Sequence, residues 1–348
     1  MTIRGLLRRL PLLPVLAAAA VAAAVVLGGG ATAAAQPFLK FTLDGRIDSD
    51  AAPFLLALDQ GLLKAEGLDV SIDPAASPQE ALARVAAGTY DLGVVDINAL
   101  IKYRDQNPTA AMPAVFMIEN RPPFAVLARR SRGIVDPKDL DGKRVGAATA
   151  DGSAAYLQIF AKINGLDPAR IRLETVALPV REPMLASGQV DAISASTLTA
   201  VDLEARGVPP GDIVVLPMAD WGVVLYGQAI IASPRMLAER RDAVRGVLRA
   251  FVKALQETVR NPARAIDSVI KRIDPTHRER ELARLRIAVA GSLLTPEVRE
   301  IGFGAVDPAR LARAIDQLAL GYEFRVKPKA ADVFDPALLP PIEDRLPR

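Results

Sequence analysis

Hydrophobic and polar positions alternate along the first half of the chain in two distinct rhythms. Phe38 to Leu43 reads as a strand, Asp44 to Asp50 as a polar turn, and Ala52 to Ala65 as a helix whose apolar face is Phe54, Leu55, Leu58 and Leu62. Ser49 or Asp50 caps that helix, Pro53 sits in its first turn and Gly67 follows its end. Strand Leu68–Ile72, a helix from Pro78 to Ala87 and strand Asp91–Val95 complete a βαβαβ run with short connections, which predicts a mainly parallel sheet. A helix at Ile97–Arg104 and a strand at Ala114–Ile118 follow, and Arg121-Pro122-Pro123 then interrupts the pattern.

The same grammar restarts beyond that break. Strands are predicted at Phe124–Ala128, Arg144–Ala147, Ile171–Thr175, Val190–Ser194 and Ile213–Leu216, with helices at Ser153–Ile163, Glu182–Ser187 and Thr199–Arg206. Ala87-Gly88-Thr89-Tyr90-Asp91 in the first half and Ser187-Gly188-Gln189-Val190-Asp191 in the second spell one unit twice: a helix ended by glycine, then an aspartate, then a buried strand. After Asp220-Trp221-Gly222 comes strand Val223–Ile231. The remainder is predicted almost wholly helical, at Asp242–Arg260, Pro262–Arg272, Arg280–Ala290 and Pro308–Leu318. Strands on both sides of the middle unit predict a chain that leaves one α/β lobe, builds a second and returns, with crossings near 121–129 and 219–226. The expected partition is 36–123 with 226–348 as lobe one, and 124–225 as lobe two.

Residues 1–35 stand apart. Arg4, Arg8 and Arg9 precede an apolar run from Leu10 to Leu27, and Ala33-Ala34-Ala35 offers a small-residue cleavage site. This is the pattern of a secretory signal peptide cleaved near Ala35, with an uncleaved membrane anchor as the alternative. The segment holds three arginines and no acid, so without it the 43 basic residues fall to 40 and match the 40 acidic ones. A formally neutral domain gives no reason to expect a nucleic-acid partner. The chain has no cysteine, which excludes disulfides, thiolate metal sites and a thiol nucleophile.

Several stretches together resemble the periplasmic solute-binding proteins of ABC importers, in the nitrate/sulfonate/taurine and thiamine-pyrimidine branch. They are Leu43-Asp44, Ala52 to Ala57, Gly61 to Val70, Pro137 to Gly146, Ala186 to Asp191, Asp220-Trp221-Gly222 and Asn261-Pro262-Ala263. The resemblance covers roughly residues 38–335. It implies a type II periplasmic-binding fold: two α/β lobes joined by a two-crossing hinge, with a helical C-terminal part. It further implies a periplasmic monomer that captures a small solute for a permease and its ATPase, touching the membrane only through that permease and using no cofactor or metal. A ligand-sensing subunit of a membrane receptor would share the same cleft. Two positions depart from the pattern: Gly45 stands where an aromatic often follows the aspartate, and Ala51 where a histidine often precedes the Ala-Pro step.

Ligands of open α/β sheets lie beyond the carboxyl ends of the strands, which selects particular turns. Asp44, Ser49 and Asp50 occupy the first, as acceptors for an amine or ring N–H or as ordinary caps. Asp96 ends the third strand and serves equally as a ligand acceptor or as the cap of the helix at Ile97. Thr149, Asp151 and Ser153 surround a helix start, a place of free N–H groups. Arg181 is either a bidentate carboxylate clamp or a partner of Glu182 or solvent. Ser196 offers a hydroxyl at the matching place in lobe two. Phe124, Asp220 and Trp221 flank the two crossings, and Trp221 fits either the cleft or a core.

Catalysis is not expected. His277 is the only histidine, in the charged stretch Asp274 to Arg280, and no nucleophile elbow, P-loop or metal-ligand spacing occurs. The eukaryotic thiamine-pyrimidine synthases resemble this family, yet their cysteine-rich motif has no counterpart in a cysteine-free chain.

Overall fold

The computed structural model describes residues 38–110, 112–149 and 151–347. The expected signal peptide lies outside the described residues. Ten strands form two five-stranded sheets. The first contains β1 (Phe38–Thr42), β2 (Asp69–Asp73), β3 (Leu92–Asp96), β4 (Ala114–Met117) and β10 (Gln228–Ala232), in the order β2-β1-β3-β10-β4. The second contains β5 (Phe124–Arg129), β6 (Arg144–Ala147), β7 (Arg172–Thr175), β8 (Ala192–Ser196) and β9 (Ile213–Pro217), in the order β7-β6-β8-β5-β9. In each sheet the strand that arrives from the other lobe runs antiparallel: β10 against β3 and β4, and β5 against β8 and β9. The chain therefore passes between the sheets twice, between β4 and β5 and again between β9 and β10, as its sequence predicts.

The α-helices, in chain order, are α1 (Ala52–Asp59), α2 (Leu62–Ala65), α3 (Pro78–Ala86), α4 (Ile97–Gln106), α5 (Ser153–Ile163), α6 (Leu178–Ser187), α7 (Thr199–Ala205), α8 (Pro234–Glu239), α9 (Arg241–Arg260), α10 (Pro262–Ile270), α11 (Arg278–Ala288), α12 (Pro296–Ile301), α13 (Pro308–Leu318), α14 (Ala330–Val333) and α15 (Ile342–Arg345). The helix expected over Ala52 to Ala65 breaks in two, because Gly61 adopts φ 68° between α1 and α2. Helix α6 begins four residues earlier than expected: Pro179 fits its first turn, where no N–H is required, and Pro183 is carried inside.

The repeated phrase has a structural counterpart. Gly88 and Gly188 follow their helices at φ 70° and 76°, the left-handed region that glycine enters without a Cβ penalty. Asp91 then accepts the Lys40 N–H of β1 at 2.9 Å, and Asp191 accepts the Arg144 N–H of β6 at 2.9 Å. Each aspartate also donates its own N–H to the carbonyl of that residue. The two aspartates register the same pair of parallel strands in each lobe.

Three apolar clusters fill the layers. One packs α1, α9, α10 and α11 on the first sheet around Phe54, Phe116 and Phe251. A smaller one packs α6 and α7 on the second sheet. The third draws Val95, Met117 and Ile231 from the first sheet and Val126, Val145 and Leu216 from the second, together with α4, α5 and α13.

The strand expected over Val223–Ile231 starts only at Gln228, since Val223 to Gly227 is crossing rather than sheet. Its backbone is committed elsewhere. The Arg310 guanidinium on α13 donates to the carbonyls of Val224 at 3.2 Å and Leu225 at 3.0 Å. On the other crossing it donates to the Asn120 carbonyl at 2.8 Å and the Asn120 Oδ1 at 3.1 Å. Glu297 completes the set at 2.7 Å, and the Tyr226 ring lies under the guanidinium at 4.1 Å. One side chain thus ties both crossings.

Replacing Arg310 by Ala removes the cation beside Glu297 and leaves the carbonyls of Asn120, Val224 and Leu225 without their donor, and is expected to cost roughly 3 kcal/mol of stability in urea unfolding. Lysine is expected to recover only a minor part, since a point charge cannot serve both crossings at once. A loss below about 1 kcal/mol, the scale of an exposed pair, would contradict the clamp.

Candidate functional site

The lobe-one wall of the cleft is built from the carboxyl ends of β1, β3 and β4 and the start of β10. Just past β1, Asp44 Oδ2 accepts the Gln228 Nε2–H at 2.8 Å. The Gln228 N–H in turn donates to Glu119 Oε2, two residues past β4, at 3.1 Å. Beyond Asp44 the chain makes a short 3-10 turn, Ser49–Ala51, in which Asp48 accepts the Asp50 N–H at 3.1 Å. Glu281 of α11 anchors this turn by accepting the Ser49 N–H at 3.0 Å. Ser49, Asp50, Pro53, Ile118, Glu119, Gln228, Leu285, Ala288 and Leu293 line a small pocket beside it. The last of these belongs to the π-helical turn Val289–Leu293, in which α11 continues; such turns are frequent at functional sites.

Burial of acids dominates the electrostatics here, with their mutual repulsion second. Burial pushes the Asp44 carboxyl up to about 7, with the neighbouring charge of Asp48 adding to the effect. Asp50 is likewise pushed up to about 7, by burial first and then by Asp48. Glu119 is raised well above the usual carboxylate range by burial, then by the charge of Asp50. Asp96, at the end of β3, is raised by burial although Tyr156 and Asn98 donate to it. Both mechanisms act by disfavouring the charged form. Arg284 of α11 faces these acids but reaches across the cleft to Asp202 of α7, at 2.7 Å.

The lobe-two wall is more self-contained. Ser153 is buried, its Oγ accepting the Ala148 N–H at 2.9 Å and donating to the Ala148 carbonyl at 3.1 Å. Asp151 accepts the Ser153 N–H at 3.0 Å and pairs with Arg181 at 2.6 Å. Arg181 also donates to the Ser194 carbonyl at 3.2 Å and to Glu182 at 2.9 Å. Its guanidinium is 8% exposed and fully engaged inside lobe two, so of the two roles read from the sequence it takes that of an internal partner rather than a carboxylate clamp. Ser196, at the end of β8, lies opposite Phe124 in the sheet register, and its Oγ accepts the Leu198 N–H at 3.2 Å. Thr149, past β6, is exposed.

Among the described residues, two polar side-chain contacts join the walls: the Arg284–Asp202 pair and a hydrogen bond from the Tyr156 hydroxyl to Asp96 Oδ2. Asp96 keeps its capping role as well, accepting the Asn98 N–H at 2.8 Å. The Phe124 ring stacks on Tyr156 with centroids 4.0 Å apart. Asp44, Ser49, Asp50 and Asp96 therefore gather on one wall, with Phe124, Thr149, Asp151 and Ser196 at the strand ends and helix start of the other.

Asp220 and Trp221 do not join this group. Asp220 pairs with Arg121, linking the two crossings. The Trp221 carbonyl accepts from Asn164 at 3.2 Å, just past the C-terminus of α5 and at the opposite end of that helix from Ser153. The Trp221 side chain packs on the shared apolar cluster. Sequence reasoning passed over Glu119, Gln228 and Arg284. Glu119 follows a strand end as Asp44 and Asp96 do, a signal that was available.

Residues 48–265 match the family described as NMT1/THI5 like. The chain belongs to the NMT1/THI5-like family. Over 228 residues it is 24% identical to a 4-amino-5-hydroxymethyl-2-methylpyrimidine phosphate synthase of Schizosaccharomyces pombe, spanning 63% of this chain and 64% of that protein. Over 221 residues it is 24% identical to the riboflavin-binding protein RibY of Chloroflexus aurantiacus, spanning 62% and 61%. The periplasmic aliphatic sulphonate binding protein SsuA of Escherichia coli superposes with a TM-score of 0.66 at 18% identity, covering 89% of this chain and 91% of that one. The last likeness establishes the periplasmic-binding-protein fold. The synthase name overturns the expectation that catalysis is foreign to this chain: its relatives include a protein named as an enzyme.

The raised carboxyls have a measurable consequence. Asp44 and Asp50 keep their protons up to about pH 7 in the folded protein, whereas carboxyls of an unfolded chain lose theirs near pH 4. Between those values the folded state binds more protons, so stability falls as pH rises. The midpoint of thermal unfolding is expected to be lower at pH 8 than at pH 5, and Asp50→Asn is expected to flatten the slope. A midpoint that rises over this interval would refute the crowding.

Proposed function

We propose that the interlobe cleft captures a small solute that offers hydrogen-bond donors or positive charge to the lobe-one carboxylates, and that this solute is an amino-bearing heterocycle of the pyrimidine class. The supporting observation is the gathering of Asp44, Asp50, Asp96 and Glu119 at one set of strand ends, while the guanidinium groups of Arg181 and Arg284 are already engaged. A carboxylate accepts charge-assisted hydrogen bonds from an amine or a protonated ring, and repels a sulfonate. The name of the Schizosaccharomyces pombe relative supports the same ligand class.

The proposed setting is the periplasm, with cleavage near Ala35 and delivery by a monomer to an ABC permease and its ATPase. Lobe one comprises 36–123 with 226–348, and lobe two 124–225. The ligand touches both lobes and therefore favours the closed form, and only that difference in affinity shifts the population. A second reading has specific support: the synthase name among the relatives, joined to carboxyls whose raised pKa suits proton transfer near neutral pH, favours formation of a pyrimidine in the same cleft.

Calorimetry with 4-amino-5-hydroxymethyl-2-methylpyrimidine and with taurine separates the ligand classes. Saturable binding of the pyrimidine is expected, with Asp50→Asn weakening it about tenfold, the scale of one charged hydrogen bond. Taurine binding without pyrimidine binding would overturn the proposal. Chromatography for newly formed 4-amino-5-hydroxymethyl-2-methylpyrimidine phosphate after incubation with a cell extract divides the two readings, since capture forms none and a synthase does.

A further inference from the structure

The mechanism above leaves one buried aromatic unexplained. Tyr156 belongs to α5 of lobe two, yet its hydroxyl reaches Asp96 of lobe one. One face of the ring stacks on Phe124, with 4.0 Å between centroids and 20° between planes. Gly152 also approaches it closely: an added Cβ there would come within 3.0 to 3.1 Å of two ring carbons and the hydroxyl. Gly152 itself sits at φ 76°, so both its backbone and its missing side chain make room for that ring. Only 4% of Tyr156 is exposed, and the low-polarity surroundings raise its hydroxyl well above the ordinary tyrosine range.

The acceptors around the hydroxyl outnumber its protons. Asp96 takes the Tyr156 O–H and two donors from Asn98, while the Asn98 amide gives its remaining N–H to the Tyr226 carbonyl at 2.8 Å. Both Nδ2 bonds fix the orientation of that amide, and its Oδ1 is left buried and without a partner among the described residues. Buried polar atoms of this kind call for an explanation. A hydroxyl brings one proton to such a place, whereas a ring amino group brings two.

We propose that Tyr156 is a built-in stand-in for the ligand: its ring fills a slot on the Phe124 face that a planar amino-heteroaromatic ring takes over, and its hydroxyl holds the Asp96 contact that the incoming amino group replaces. This rests on the preceding reading that the ligand enters the interlobe cleft. Tyr156 then acts as a competitor built into the chain. The free protein binds with an affinity reduced by the fraction of molecules in which the slot is occupied by its own side chain. Selectivity follows from the exchange, because a ring lacking a donor leaves Asp96 without the proton that Tyr156 had supplied.

Two measurements test this, one of them independent of any natural ligand. In Tyr156→Ala, phenol is expected to raise the thermal midpoint saturably and toluene to do so less, since only phenol restores the donor to Asp96; wild type should not respond to phenol. No effect of phenol on the variant would overturn the slot. In the second, the affinity for 4-amino-5-hydroxymethyl-2-methylpyrimidine is expected to rise about fivefold in Tyr156→Ala and by a smaller factor in Tyr156→Phe, which keeps the ring and guards against a folding defect. Weakened binding in both variants would make Tyr156 a direct ligand contact and overturn its role as competitor. Phenol uptake with no pyrimidine binding by any form would remove the pyrimidine reading while upholding the slot.

Discussion

Burial of carboxylates at the ends of β1, β3 and β4, sharpened by the repulsion among them, is the constraint around which the cleft is arranged. Four acids that share a partly dry wall cannot all remain charged at ordinary cost, and the structure relieves them one at a time. Gln228 shares itself between Asp44 and Glu119, Tyr156 and Asn98 serve Asp96, and Arg284 stands opposite the Asp48–Asp50 turn. The remaining imbalance is met by retained protons, at about pH 7 for Asp44 and Asp50. A wall in this condition can release those protons to balance an arriving group that brings positive charge or hydrogen-bond donors.

The helical C-terminal part works on the hinge and on the first wall. Helix α11 holds the Asp44–Asp50 turn through Glu281 and carries Arg284 to lobe two. Helix α13 holds both crossings through Arg310, and Gln317 adds a second tie by accepting the Val224 N–H at 2.8 Å and donating to the Gly222 carbonyl at 2.8 Å. Backbone that leaves one sheet for another has no ladder partner, so its carbonyls need donors from elsewhere. The side chains of α13 supply them.

Much of this organisation was legible in the sequence because it follows from local pattern. The twice-spelled helix–glycine–aspartate unit marks equivalent places in the two lobes, and the strand-end rule located Asp44, Asp50 and Asp96. Glu119 obeys the same rule, two residues past β4. Gln228 was hidden because a run of apolar residues before it, Val223 to Tyr226, looks like a strand and is a buried crossing instead. Arg284 lies in a stretch of alternating charge, Arg278 to Arg286, where an arginine facing water and one bridging a cleft have the same spelling. Trp221 shows the converse limit: its position beside a crossing said nothing about which way the ring would pack.

The apolar cluster that draws on both sheets gives the cleft a seam of shared oil at its back, formed by Leu100 and Ile101 of α4, Leu157 and Phe160 of α5, and Leu311 and Leu318 of α13. A gape wide enough to split that seam would wet side chains at about 0.8 kcal/mol for each methylene exposed. A wide gape is thereby costly, and the shared seam favours small rocking of the lobes over wide separation. Cutting the gene between the lobes would leave each half with a greasy flank and nothing to set against it.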